Sequence, residues 1–171
     1  LSISLFNQNI FASEKIKIGL IVPLSGDNSL IGEKIIKSIR MAINKINDDR
    51  IEIIPKDTKS NPINALKVSK ELYKKGVKII IGPVFNESTK YLDELEDVTF
   101  ISFTNKLIGN PKNVISAGVN AISQLQTIKK FNNRKNLSKS IFLIPRAQFK
   151  KEIEEAINKT KIKYREVFYY D

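Results

Sequence analysis

The run Val77-Lys78-Ile79-Ile80-Ile81 constrains the fold more than any other stretch of this chain. Side chains alternate across an extended segment, so a run that is apolar on both sides needs cover on both faces. Parallel strands packed between helices meet that demand, whereas half-solvated antiparallel strands alternate apolar with polar. Gly82-Pro83 ends the run, and the polar cluster Asn86-Glu87-Ser88-Thr89 follows at once. Ahead of it lies a helix whose first turn suits Pro62. Ala65, Val68, Leu72 and Tyr73 form its inward stripe, and Gly76 takes the place favoured for a left-handed helix terminus.

The same logic recurs along the chain. Ile16 to Pro23 reads as a strand ended by Ser25-Gly26-Asp27-Asn28, and Leu30 to Ile46 as an amphipathic helix with Ile31, Ile35, Ile39, Ala42, Ile43 and Ile46 on one stripe. Ile51 to Ile54 is the second strand, Glu87 to Leu95 a shorter third helix, and Val98 to Phe103 the fourth strand. Val114 to Gly118 forms a short fifth strand. Ala121 to Phe131 is helical, Asn132 to Ser138 is a polar connection, and Ser140 to Pro145 is a strand. A helix from Gln148 to about Asn158 and a last strand, Tyr164 to Tyr170, complete the pattern. Regular alternation of strand and helix predicts an α/β fold with parallel sheets and right-handed crossovers. A division falls near Ser116 to Gly118, giving a first α/β lobe over 15–118 and the start of a second over 119–171.

Residues 1–14 differ from the rest. L-S-I-S-L-F-N-Q-N-I-F-A-S-E is an apolar segment with a small residue at Ala12 before charged sequence, as at the end of a secretory signal. On that reading the mature protein starts near Ser13 and is exported to the periplasm. The other reading is a short disordered arm.

Composition removes several kinds of chemistry. There is no Cys and no His, which excludes disulfides, thiolate nucleophiles, Ser-His-Asp triads and the usual zinc spheres. No apolar run reaches the roughly eighteen residues of a transmembrane helix. The net charge is +11, from 29 basic and 18 acidic residues. Residues 121–171 hold 12 basic and 5 acidic side chains, so the excess is concentrated there. Only Arg40, Arg50, Arg134, Arg146 and Arg165 are arginines, and the lysines fall on polar helix faces without interleaved aromatics. That pattern reads as solvated surface rather than a nucleic-acid groove. Weak attraction to anionic surfaces stays open. The turn P-L-S-G-D-N-S-L-I-G lacks both dinucleotide-loop and P-loop spacing, and no acid/base pair stands out, so neither a cofactor, a metal nor catalysis is expected.

In open α/β sheets ligands lie beyond the carboxyl ends of the strands. Four such ends are polar: Leu24-Ser25-Gly26-Asp27, Lys56-Asp57-Thr58, Val84 to Thr89, and Phe103-Thr104-Asn105. The candidate ligand-binding residues are therefore Ser25, Asp57, Asn86, Glu87, Ser88, Thr104 and Asn105. Each also has a bland role. Asn28, Ser29 and Asn86 suit helix caps, and Asp57 suits an Asx turn. Convergence of four polar ends on one edge is what lines a cleft.

K-I-K-I-G-L-I-V-P-L-S-G (Lys15–Gly26), I-E-I-I-P-K-D-T (Ile51–Thr58), A-L-K-V-S-K-E-L-Y-K-K-G-V-K-I-I-I-G-P (Ala65–Pro83) and V-T-F-I-S-F-T-N (Val98–Asn105) stand in the order in which they resemble type I periplasmic binding proteins. These include the branched-chain amino-acid receptors of ABC importers. The resemblance runs from about Lys15 to the last residue. It implies two α/β lobes with a ligand clamped between them, the second lobe being incomplete in this chain. It also implies that the turns after the third and fourth strands hold the ligand's carboxylate and ammonium groups. The matching positions are Asn86, Glu87 and Ser88, then Phe103, Thr104 and Asn105. The family's Ser-rich turn and Ser-Ala-Thr-like segment are replaced by N-E-S and F-T-N, and Glu87 would oppose a ligand carboxylate. I-S-F-T-N and V-I-S-A-G-V-N (Val114–Asn120) resemble a sister branch, the penicillin-binding-protein activators, which act on peptidoglycan synthesis by protein contact.

Two functions follow from the resemblance. The first is non-enzymatic capture of a small amino-acid-like or polar solute for an ABC permease. The alternative is regulation of a peptidoglycan synthase. A dimer would cover an exposed sheet edge. A cytoplasmic flavodoxin-like or response-regulator-like domain is a third reading of the same alternation.

Overall fold

The structure, a computed structural model, describes residues 14–106, 109–146 and 149–171. The signal-peptide reading of the N-terminus therefore lies outside the described residues, apart from Glu14. Five parallel strands form the first sheet: β1 (Ile16–Val22), β2 (Ile51–Asp57), β3 (Ile79–Ile81), β4 (Thr99–Ser102) and β5 (Val114–Ser116), in the order β2-β1-β3-β4-β5. Helix α1 (Ser29–Ile46) joins β1 to β2, and α2 (Pro62–Lys74) joins β2 to β3. After β5 come α3 (Ala121–Arg134), β6 (Ile141–Pro145), α4 (Lys150–Thr160) and β7 (Glu166–Tyr170), with β6 and β7 pairing in parallel as a second sheet.

Pairing registers define the faces. Ile21, Ile80, Phe100 and Val114 point to one side of the first sheet, where they pack with Val68 and Leu72 of α2 and with Leu92, Leu95 and Val98. Burial of that kind contributes roughly 1.5–3 kcal/mol per large side chain. Leu125, Ile144, Ala156, Ile157 and Ile162 form a separate cluster between the second sheet and its two helices.

The opposite faces are only partly covered. Ile36, Ile39 and Ile43 of α1 lie around Leu20, Ile53 and Pro55, over β1 and β2. A helix is about 10–12 Å across and five strands span roughly 19 Å, so α1 alone does not reach across β3 to β5, where Ile81 and Ile101 are half-buried. Ile79 is 43% and Ile115 55% exposed. The two-sided cover expected for β3 is thus one-sided here. Ile31, Ala42 and Ile46, expected on the inward stripe of α1, are exposed, and Ile36 takes part instead. In the second sheet Ile141, Leu143, Phe168 and Tyr170 form a bare face.

Two elements differ from expectation. The third helix is not continuous: Asn86–Thr89 and Leu92–Glu94 are separate 3₁₀ turns. Thr89 Oγ1 donates to Asn86 O at 2.7 Å, a local bond that competes with helix propagation. Asn113 Nδ2 then donates to the carbonyls of Leu92 (2.9 Å), Leu95 (3.0 Å) and Val98 (3.2 Å), tying the second turn to the entry of β4. The second difference is β2, which continues through Pro55 to Asp57. It is an edge strand, and an edge tolerates a residue without an N–H.

Candidate functional site

All five strands of the first sheet run the same way, so their carboxyl ends share one edge. The strand order reverses direction between β1 and β3, which places a crevice there. Gly82 permits the close approach. Its φ is +108°, and a Cβ on it would lie 2.1 Å from Ile21 O.

The candidate residues separate into three groups. Ser25 and Asp57 bind one another: Ser25 Oγ donates to Asp57 Oδ2 at 2.6 Å, and the N–H groups of Leu24 and Lys59 donate to Oδ1 at 2.8 Å each. Burial alone would push the Asp57 carboxyl up. The hydrogen bonds from Ser25, Leu24 and Lys59 outweigh it and hold the group below its ordinary range. Asn28, expected as a cap, sits at the N-cap of α1 but donates its amide to Ser60 Oγ at 3.1 Å rather than capping with its side chain.

Ser88 and Thr104 are buried. Thr104 Oγ1 accepts from Lys106 N at 3.2 Å, and Thr104 O accepts from Gly118 N at 3.2 Å and from Ser116 Oγ. Thr104 thereby ties the turn after β4 to the exit of β5. Ser102 reinforces it, donating through Oγ to Pro83 O at 2.8 Å. Ser88 Oγ has no hydrogen-bond partner among the described residues.

Asn86, Glu87 and Asn105 are brought together. They line a cavity of about 690 Å³ with Lys106 and Gly109 on the first-sheet side. Across it stand Arg146, at the exit of β6, and Phe149, Lys150, Lys151 and Glu152, at the start of α4. Asn86 Oδ1 is buried and has no hydrogen-bond partner among the described residues. Phe149 holds φ +68°, a left-handed conformation that strains a bulky side chain. The residues after β6 carry no such expectation, because Glu152, Glu154 and Glu155 alternate with basic residues as on a solvated helix surface. Extending the strand-end rule to the sixth strand would have found them.

A second groove, of about 530 Å³, opens between the ends of α3 and α4 and includes Lys129, Lys161 and Lys163. Lys129 Nζ donates to Thr160 O at 2.7 Å. Cations at helix C-termini offset the helix dipole, which accounts for that lysine without a ligand. Among the described residues there is no group of three or more acidic side chains arranged to hold a metal. Nor is any described helix long and apolar enough to cross a membrane.

The fold agrees with that of solved binding proteins. Full-length LpoA from Haemophilus influenzae superposes with a TM-score of 0.70 at 15% identity, over 92% of this chain and 30% of LpoA. The LpoA C-domain, described as a regulator of PBP1A, gives 0.72 at 16% identity over 91% of this chain and 50% of that domain. A solute binding protein of an ABC transporter from Rhodopseudomonas palustris BisB5, in complex with 3,4-dihydroxy benzoic acid, gives 0.60 at 20% identity over 92% of this chain and 47% of its own. The chain thus spans between about a third and a half of these relatives. No curated protein matches it by sequence. The family and fold are those of non-enzymatic binding proteins. The profile described as periplasmic binding protein matches residues 15–160, and the chain belongs to that family.

Proposed function

We propose that this chain is the ligand-binding part of an exported protein that takes a small polar solute into the cleft between its two sheets, for delivery to an ABC permease. One observation carries the reading: the turns after β3 and β4 and the start of α4 meet around a single cavity of about 690 Å³. Small-molecule sites typically occupy about 300–1,000 Å³. Asn86, Glu87 and Asn105 contact the solute, and a donor on it satisfies Asn86 Oδ1. Ser25, Asp57 and Thr104 hold the strand ends that carry them, and Ser88 is buried beneath the turn after β3. The R. palustris neighbour, solved with a small aromatic acid, supports a small-molecule ligand. Calorimetry with a panel of amino acids and small acids tests the proposal. Failure of every compound to bind more tightly than roughly 1 mM would overturn it.

Regulation of a peptidoglycan synthase by protein contact is the second reading. It is favoured by closer backbone agreement with the PBP1A regulator, TM-score 0.72, than with the solute binder, 0.60. Specific retention of a penicillin-binding synthase from an envelope extract, unchanged when Asn86 and Glu87 are replaced, is the result this reading expects.

A further inference from the structure

The charges facing the cleft are unequal on its two sides. Lys106 and Glu87 cancel on the first-sheet wall. Arg146, Lys150 and Lys151 against Glu152 leave the opposite wall at +2. None of these cations has a short carboxylate partner among the described residues. Arg146 Nε lies 3.8 Å from Asp171 Oδ1, and Lys150 Nζ lies 3.9 Å from Glu154 Oε1, both beyond hydrogen-bond length. Lys106 and Lys151 form no ion pair among the described residues. The start of α4, where Lys150, Lys151 and Glu152 line this wall, receives no side-chain cap from Phe149. On the other wall Asn86 Oδ1 and the Glu87 carboxylate are acceptors, with Lys106 beside them as a donor.

We infer that the cleft takes a small organic anion with a fixed direction, an inference that rests on the solute-binding reading above. The ligand's carboxylate lies at Arg146, Lys150 and Lys151, and a hydroxyl or ammonium at its other end donates to Asn86 Oδ1 and Glu87. A charge-assisted bond in a confined site contributes enough to distinguish an anion from its neutral isostere. The second wall therefore sets ligand class, and the first sets the end-to-end orientation. This reverses the pose in which the turns after β3 and β4 receive a carboxylate, and it gives Glu87 a partner it attracts.

Calorimetry on the 171-residue chain with matched probes tests the inference: 4-hydroxybenzoate against 4-hydroxybenzamide, and 3-hydroxybutyrate against 3-hydroxybutyramide. The expected result is that an acid binds about ten- to hundredfold more tightly than its amide. Arg146→Gln and Lys150→Gln should each weaken the acid by about tenfold and the amide by less. Circular dichroism verifies that the variants fold. Equal or tighter binding of the amides, or insensitivity to both substitutions, overturns the anion inference and leaves solute binding standing. No binding by any of the four overturns both.

Discussion

Ser25 Oγ donates to Asp57 Oδ2 at 2.6 Å, joining the exit of β1 to the end of β2 thirty-two residues away. With Leu24 N–H and Lys59 N–H on the other oxygen, the carboxylate has its acceptor sites filled by the protein itself. A ligand at that end would have to displace internal bonds. Asn86 Oδ1, in contrast, is buried with no donor to it among the described residues. The contrast separates strand ends that are tied off from those still open to a ligand.

Replacing Asp57 by Ala should cost about 1–3 kcal/mol, because the partly buried Leu24 N–H loses its acceptor. Ser25→Ala should cost less, about 1 kcal/mol, since its hydroxyl leaves with its bond. Urea denaturation of the two variants measures both. Equal, negligible costs would show that the Asp57 cluster is unimportant for the β1 and β2 exits.

Acid should weaken the chain through the same group. The folded Asp57 carboxyl titrates below its unfolded value of about 3.9. Its contribution is therefore complete above that pH and lost as pH falls through the folded value. Midpoints followed from pH 6 downward should drop below about pH 4, and Asp57→Asn should flatten that part of the curve.

Asn113 gathers three carbonyls with one amide, so Asn113→Ala should cost about 2 kcal/mol or more. Asn113→Asp keeps the shape but turns an oxygen toward the same carbonyls, and should cost more than Ala. Thermal unfolding of the pair checks the order, and an Asp variant as stable as Ala would contradict it.

Phe149 stands in the cleft at φ +68°, where Gly is at ease. Phe149→Gly should leave stability unchanged or raise it by about 1 kcal/mol. It should also weaken ligand binding, since the ring is lost from the wall. Parallel melting and calorimetry would expose a purely structural role as a fall in stability with affinity intact.

The two faces of β6 predict opposite responses. Ile144 is 1% exposed in the second cluster, and Ile144→Ala should cost about 2–5 kcal/mol. Leu143, one residue earlier and 69% exposed, should tolerate Ala within about 0.5 kcal/mol. Chemical denaturation of both gives the comparison, and a large cost at Leu143 would mean that something covers this face in solution.

Much of this was legible in the residues themselves. Apolar runs such as Ile79-Ile80-Ile81, the inward stripe of α2 and the φ +83° at Gly76 follow from local periodicity and backbone preference, which do not depend on the rest of the chain. Strand ends also pointed to Asn86, Glu87 and Asn105, because a parallel sheet puts every carboxyl end on one edge. What local pattern could not decide is which polar groups already have partners. Asp57 and Ser25 meet across thirty-two residues, and Asn113 reaches back to Leu92, so both pairings exist only after the sheet has formed. The end of the broken third helix is tied down in the same way, since the distant Asn113 amide donates to the Leu92 and Leu95 carbonyls. Arg146 and Lys150 looked like solvated charge for a related reason. A charged side chain carries no sequence sign of whether it faces water or a cleft; only the tertiary placement of β6 and α4 opposite the first sheet decided that.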